Sequence, residues 1–221
     1  GAKHGLWTEW YPNGARKTEV SYDHGKTDGV YVVWHENGRK WEEGRLVGGV
    51  KQGVWRKWHP NGAQALEATF ADGSLDRTYA TWHDNGRRHK KGTYVAGVKQ
   101  GIWVEWYENG QKRSEMAFRN GKPIGDYVGW WENGEKREQV VFVDGEPDGI
   151  YTLWHDNGRK REEGRYAHGK LHGHVVAWHR SGEVWAESDW DGGFSTGMKF
   201  SEAMKEVLGR QAPSGAAVSP Q

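Results

Sequence analysis

The sequence predicts an all-β protein: an elongated single-layer antiparallel β-meander of eight 24-residue β-hairpin repeats, ending in a short C-terminal helix. Three observations predict it. Asn-Gly pairs begin at Asn13, Asn37, Asn61, Asn85, Asn109, Asn133 and Asn157, with Ser181-Gly182 in the eighth place, and every step is 24 residues. A second glycine series keeps the same step at Gly25, Gly49, Gly73, Gly97, Gly121, Gly145, Gly169 and Gly193. A third opens each unit at Gly5, Gly29, Gly53, Gly101, Gly125, Gly149 and Gly173, broken at Arg77. A fixed period of this length is the mark of a repeat architecture, and here it runs from residue 5 to 196 without an insertion.

Composition agrees. The mean hydropathy is −0.98, yet the chain holds 15 tryptophans and nine tyrosines. Disordered chains lack aromatics, so a chain this polar and this aromatic is expected to bury large rings in a thin, wet structure. Net charge is +1, which gives no electrostatic bias toward nucleic acid or anionic lipid, and no nucleic-acid partner is expected. The absence of cysteine excludes disulfides, thiolate nucleophiles and Cys-ligated metals. No apolar run approaches the roughly 18–20 residues of a transmembrane span. A cytoplasmic location is the expectation. The first residue is Gly1, so a removed leader, and with it a cell-envelope or secreted location, stays open.

The elements follow in chain order. Residues 1–4 are an N-terminal tail. Within each unit, Asn-Gly between aromatic and β-branched runs predicts a type I′ hairpin turn, which needs positive φ at both central residues. The second turn (DHGK, RNGK, DGEP, AHGK) returns the chain, so about 16 strands spaced about 4.8 Å apart would form a ribbon some 70–75 Å long. Neighbouring units also alternate. Those at 5, 53 and 101 read G-x-W-x-x-W, whereas those at 29, 77, 125 and 149 carry Tyr31, Tyr79, Tyr127 and Tyr151. VGGVKQG at 47–53 and VAGVKQG at 95–101 match across 48 residues, which suggests duplication of a two-unit block.

Stacked units turn columns into ladders. One is Trp10, Trp34, Trp58, Trp82, Trp106, Trp130, Trp154 and Trp178, a structural ladder present in all eight units. A second is Trp7, Tyr31, Trp55, Tyr79, Trp103, Tyr127, Tyr151 and Val175; a third is Tyr22, Leu46, Phe70, Tyr94, Phe118, Phe142, Tyr166 and Trp190. Cross-strand aromatic pairs stabilise a sheet by about 0.2–1 kcal/mol each. A two-residue loop would set Trp34 against Trp41, Trp106 against Arg113, Trp130 against Arg137, Trp154 against Arg161 and Trp178 against Trp185, placing guanidinium over indole. Positions 7 and 10 of a unit point to opposite faces of a regular strand, so either a bulge intervenes or both faces carry aromatics.

The histidines look at first like chemistry. His35, His59, His83, His155 and His179 share one column with Tyr11, Tyr107 and Trp131. Equivalent residues lie two strands, about 9–10 Å, apart, too far to share an ion held at about 2.0–2.2 Å. The column therefore reads as amphipathic cover for the turn. The carboxylate column (Glu19, Glu43, Glu67, Glu115, Glu163, Glu187) and the cation column (Lys40, Arg88, Lys112, Lys136, Lys160) are repeated rather than singular, and read as solubility and edge protection. No nucleophile elbow or phosphate loop is present. No catalytic residue, cofactor site or metal site is expected.

The last unit departs from the rule at Ser181 and Val175, and crowds His172, His174 and His179, with a weak metal site as the lesser reading. Residues 197–209 contain SEAMKEVLG, a capped helix with Phe200, Met204, Val207 and Leu208 on one stripe, expected to pack on the open end of the ribbon. Residues 210–221 have the composition of a disordered tail.

The unit G-x-W-x-x-W-Y-x-N-G-x-x-x-x-E-x-x-F-x-x-G-K resembles the variant MORN repeat of bacterial proteins, and 101–124, GIWVEWYENGQKRSEMAFRNGKPI, carries the pattern most fully. Chains built this way resemble the YwqK-type antitoxin family of toxin–antitoxin systems. That resemblance implies protein binding and toxin neutralisation rather than catalysis. The expectation is a non-enzymatic scaffold for a protein partner, such as a toxin, with Trp41, Trp185, Arg113, Arg137 and Arg161 as candidate contact residues because Trp and Arg dominate interface hot spots. The alternative is a structural or cell-envelope surface protein making multivalent contacts to glycan or lipid. Terminal strands leave homo-oligomerisation through the sheet ends open.

Overall fold

Residues 1–190 form one open antiparallel sheet of 17 strands in the computed structural model, which describes those residues. The helix expected over 197–209 and the tail over 210–221 lie outside them, as does 191–196. The strands are β1 Gly5–Trp10, β2 Arg16–Asp23, β3 Lys26–Trp34, β4 Lys40–Val47, β5 Val50–Trp58 and β6 Gln64–Ala71. They continue as β7 Ser74–Trp82, β8 Arg88–Val95, β9 Val98–Trp106, β10 Lys112–Arg119, β11 Lys122–Trp130 and β12 Lys136–Val143. The last are β13 Glu146–Trp154, β14 Lys160–Ala167, β15 Lys170–Leu171, β16 Gly173–Trp178 and β17 Val184–Trp190. Each pairs with its sequence neighbours, and β15 and β16 are two pieces of one strand, both lying against β14. No helix occurs among the described residues, and none there is long and apolar enough to cross a membrane.

The Asn-Gly turn does not have the type I′ geometry expected of it. At His35–Gly38 the Gly38 amide donates to the His35 carbonyl, and the His35 amide donates to the Arg39 carbonyl. Gly38 has φ 80°, but Asn37 is not among the residues with positive φ. Glu36 and Asn37 are thus the central pair of a type I turn, and the glycine follows in the left-handed region. Asn37 is there for its side chain: Oδ1 accepts from the Arg39 amide at 3.1 Å, a bond that suits right-handed backbone. The type I′ turns sit at the other edge. His24 (φ 46°) and Gly25 (φ 84°) both have positive φ between the paired Asp23 and Lys26.

The longer turn shifts the register by one residue. Trp34 faces Lys40 rather than Trp41; Trp106, Trp130 and Trp154 face Lys112, Lys136 and Lys160 rather than Arg113, Arg137 and Arg161; and Trp178 faces Val184 rather than Trp185. Trp41 and its equivalents are the extra residues of a bulge, which leaves them unpaired and turned toward the same face as the residue that follows. A second irregularity lies at Gly29, where Val20 pairs with Tyr31 but Tyr22 pairs with Thr27. The backbone there is left-handed, and Arg77 occupies the equivalent place with φ 66°.

Both faces carry aromatics, as the odd spacing of positions 7 and 10 allowed, with unequal burial. The inner face holds the core: Trp55 and Tyr151 are 1% exposed, and Trp103 and Tyr127 are nearly as buried. The Trp34 column lies on the outer face, half-buried along most of its length and 58% exposed at Trp10. From Met116 onward the inner face closes into one contiguous cluster through Tyr127, Val140, Phe142, Tyr151, Leu153, Tyr166, Leu171 and Val175.

Candidate functional site

The histidine column has a structural job. His35 Nε2 lies 3.0 Å from the Trp58 carbonyl oxygen, and His59, His83 and His155 meet the carbonyls of Trp82, Trp106 and Trp178 at the same distance. A carbonyl only accepts, so Nε2 carries the proton. Tyr11 and Tyr107 donate through Oη to the carbonyls of Trp34 and Trp130, and Trp131 donates through Nε1 to that of Trp154. His, Tyr and Trp interchange because each offers one donor at similar reach. Beside them Asn37 Nδ2 donates to the Pro60 carbonyl, and each later asparagine through Asn157 repeats the bond one hairpin on.

The candidate contact residues meet different fates. Trp41 is 41% exposed, with Lys57 Nζ 5.2 Å over its ring and His35 beside it. Arg113 lies over Tyr107 at 5.8 Å. Arg137 lies over Trp131 at 5.7 Å, with Nη2 2.6 Å from Glu138 Oε1. Glu138 is 0% exposed, so this arginine is committed to a buried ion pair. Burial, the largest single influence, pulls the Arg137 guanidinium down, and Glu138 together with Tyr127 and Tyr107 outweighs it, so the net direction is up. Tyr127, 3.3 Å from the same carboxylate oxygen, is raised far above its ordinary range by burial first and by Glu138 second. Arg161 is half-buried, and Trp185 stands in β17 with its side chain outside the described set.

The expected cation–π contacts also move. Six of the eight outer-face indoles have a cation over them from the preceding hairpin: Arg16 over Trp34, Lys40 over Trp58, Arg88 over Trp106, Lys112 over Trp130, Lys136 over Trp154 and Lys160 over Trp178, at 5.5 to 5.9 Å. Lys40, Lys112 and Lys160 simultaneously pair with Glu43, Glu115 and Glu163. The carboxylate and cation columns therefore hold each other on the sheet surface. Burial, with His83 at 4.4 Å, lowers His89 below the ordinary imidazole range.

Two features escaped the sequence. On the outer face Leu6, Val30, Val54, Ile102 and Ile150 form a row of exposed apolar side chains, with Ile102 62% exposed. Val30 and Val54, with Val32, Val47, Arg45 and Gln52, line an open groove of about 600 Å3. Every member sits one residue after a left-handed glycine, and that column could have been read directly. The other is a group of three ligand-type side chains, His4, Asp23 and His24, whose donor atoms lie within 4.8 Å of one another. It is the one such group among the described residues, so His172, His174 and His179 make none; His174 instead meets Asp189 at 2.9 Å.

Two segments, residues 3–24 and 99–120, match the family described as MORN repeat variant. The chain carries MORN-variant repeats. The two matches start 96 residues apart, four steps of 24, so they share one phase. Both fall on hairpins with Trp at the inner-face position (Trp7, Trp103) and Tyr in the donor column (Tyr11, Tyr107). Among curated proteins none matches the chain.

Proposed function

We propose that this MORN-repeat protein is a non-enzymatic scaffold of eight 24-residue units that binds a protein partner across its outer face. The observation that carries this reading is the exposed apolar row from Leu6 to Ile150, flanked by the groove at Val30 and Val54. Clustered apolar side chains left in water, as Val30 and Val54 are, cost free energy and commonly mark an interface. The row fills five of the seven column positions from Leu6 to Ile150, with Thr78 and Asp126 in the other two, and its direction suits a partner extended along the ribbon. Support against catalysis is that the titratable side chains brought together on the inner face, Glu42, Glu138, Arg137 and the column histidines, are engaged in ion pairs or bonds to main chain. Neutralisation of a toxin, as an antitoxin or immunity protein, is the specific form the resemblance implies. Glycan stacking is less supported, because cations lie over most outer-face indoles.

The test compares the wild type with the double variant Val54→Glu/Ile102→Glu in capture from native lysate, then with the protein encoded by the neighbouring gene. A stoichiometric protein partner whose affinity falls at least about tenfold in the variant supports the reading, since central hot spots cost about 2 kcal/mol or more. Equal retention by both proteins, or retention on envelope glycan instead, overturns it.

A further inference from the structure

We infer that His4, Asp23 and His24 form a binding site for one borderline divalent transition-metal ion, of the Zn2+, Co2+ or Ni2+ class. His4 Nδ1 lies 3.3 Å and His24 Nδ1 2.7 Å from the same Asp23 oxygen, and the two imidazole rings stand 5.7 Å apart at 71°. Donors held about 2.0–2.2 Å from a tetrahedral ion are separated by about 3.3–3.5 Å, so the three atoms need move little to accept one. Two imidazoles and a carboxylate select this class over magnesium or calcium, which take oxygen donors.

The backbone brings the three together. Asp23 ends β2, and His24 is the first central residue of the type I′ turn, held at φ 46°. The Gly25 amide donates to the Lys3 carbonyl at 2.8 Å, which fixes the residues before β1 against that turn. The same bond recurs at Gly49, Gly73, Gly97, Gly121 and Gly169, so the frame is general and the side chains are what differ.

Those side chains single out the first hairpin. Where it has His4, Asp23 and His24, the following ones have Asp28, Val47 and Gly48; Gln52, Ala71 and Asp72; Asp76, Val95 and Ala96; and Gln100, Arg119 and Asn120. In those hairpins the first and third positions bond to each other: Asp28 and Asp76 accept from the Gly48 and Ala96 amides, Gln52 donates to Asp72, and Gln100 both donates to the Asn120 side chain and accepts from its amide. None of these hairpins, nor the sixth and seventh with Val143 and Ala167, has a carboxylate at the middle position; the eighth unit has Asp191 there but Gly192 at the third. Single ligand-type side chains recur in the first and third columns, as at Asp28, Asp76, Asp72 and His168; what the first hairpin adds is a carboxylate at the middle position with an imidazole on either side. All three side chains are exposed, so three protein donors leave a coordination position open to water or to a donor from another molecule.

The experiment titrates the full chain with Zn2+ by calorimetry and with Co2+ by visible absorption, in wild type, His24→Gln, Asp23→Asn and the control His174→Gln. One equivalent of Zn2+, a tetrahedral Co2+ spectrum, and at least about tenfold weaker binding in His24→Gln and Asp23→Asn but not in the control establish the site. No binding by the wild type, or binding unchanged by both first-hairpin variants, overturns it. The residues are exposed, so circular dichroism of the variants is expected to match the wild type, and a fold defect would show there.

Discussion

The stretch from Met116 to Val175 and the stretch before it use the same strands to bury different things. In the later stretch Pro123, Pro147 and Leu171 roof the inner face, and the cluster beneath is apolar and contiguous. In the earlier one the equivalent places alternate Lys3, Thr27, Lys51 and Leu75, and the ammonium groups of Lys3 and Lys51 lie over Trp7 and Trp55 at 4.5 and 3.8 Å; Lys99 does the same over Trp103 at the junction. Ring identity follows the neighbours. Tyr127 and Tyr151 send their hydroxyls to Glu138 and Glu162, whereas Trp55 and Trp103 keep buried Nε1 atoms without a hydrogen-bond partner. One backbone plan thus accepts two solutions for the same buried position, and the difference lies in how desolvated the polar partners become.

The largest test of that difference removes a cation from each half. Arg137→Ala removes the cation from the fully buried Glu138, leaving its hydrogen bond from Tyr127, and is expected to cost about 3–5 kcal/mol in urea unfolding. Lys51→Ala removes one of two solvated amines from Glu42 and should cost under about 1 kcal/mol. Similar losses in the two variants would mean that the halves are not distinct.

Next in size is packing between glycine and ring. A Cβ on Gly44 would lie 2.2 Å from the Trp55 ring, and one on Gly92 2.1 Å from that of Trp103. In the same column Val20, Ala68, Met116 and Val140 precede Tyr31, Tyr79, Tyr127 and Tyr151. Gly44→Val is expected to destabilise by about 1–3 kcal/mol, and adding Trp55→Tyr should restore most of it. A strictly additive double-mutant cycle would show that the pair does not trade volume.

The smallest effect is local. Arg77 holds left-handed backbone where the other hairpins use glycine, so Arg77→Gly should raise stability by less than about 1 kcal/mol, the relief of a side-chain clash set against glycine's larger unfolded entropy. A drop in melting temperature would contradict that account.

The period, the all-β class and the sequential meander were legible because glycine and aromatic positions recur at one spacing. The turn types were not. Asn-Gly is the strongest type I′ signature, yet here the asparagine side chain bonds the main chain two residues on, while the true type I′ pairs, His24-Gly25, Gly48-Gly49 and Ala96-Gly97, look heterogeneous. That single misassignment shifted every facing pair by one and put Arg137 beside the wrong partner. The tryptophan present in every hairpin is the most regular ladder in the sequence, but the buried inner face belongs to the Trp/Tyr column, whose members vary because they fit different neighbours. The first-hairpin cluster was hidden by reading columns for what recurs; its signal is departure from them.

Every strand pairing among the described residues joins neighbours along the chain. Folding such a ribbon requires no long loop to close before contacts form, so the entropy lost at each step is that of one hairpin. Ordering can begin at any pair and spread both ways, as a zipper does. The contiguous cluster from Met116 to Val175 gives that process its natural starting point, with the lysine-roofed hairpins added outward from it.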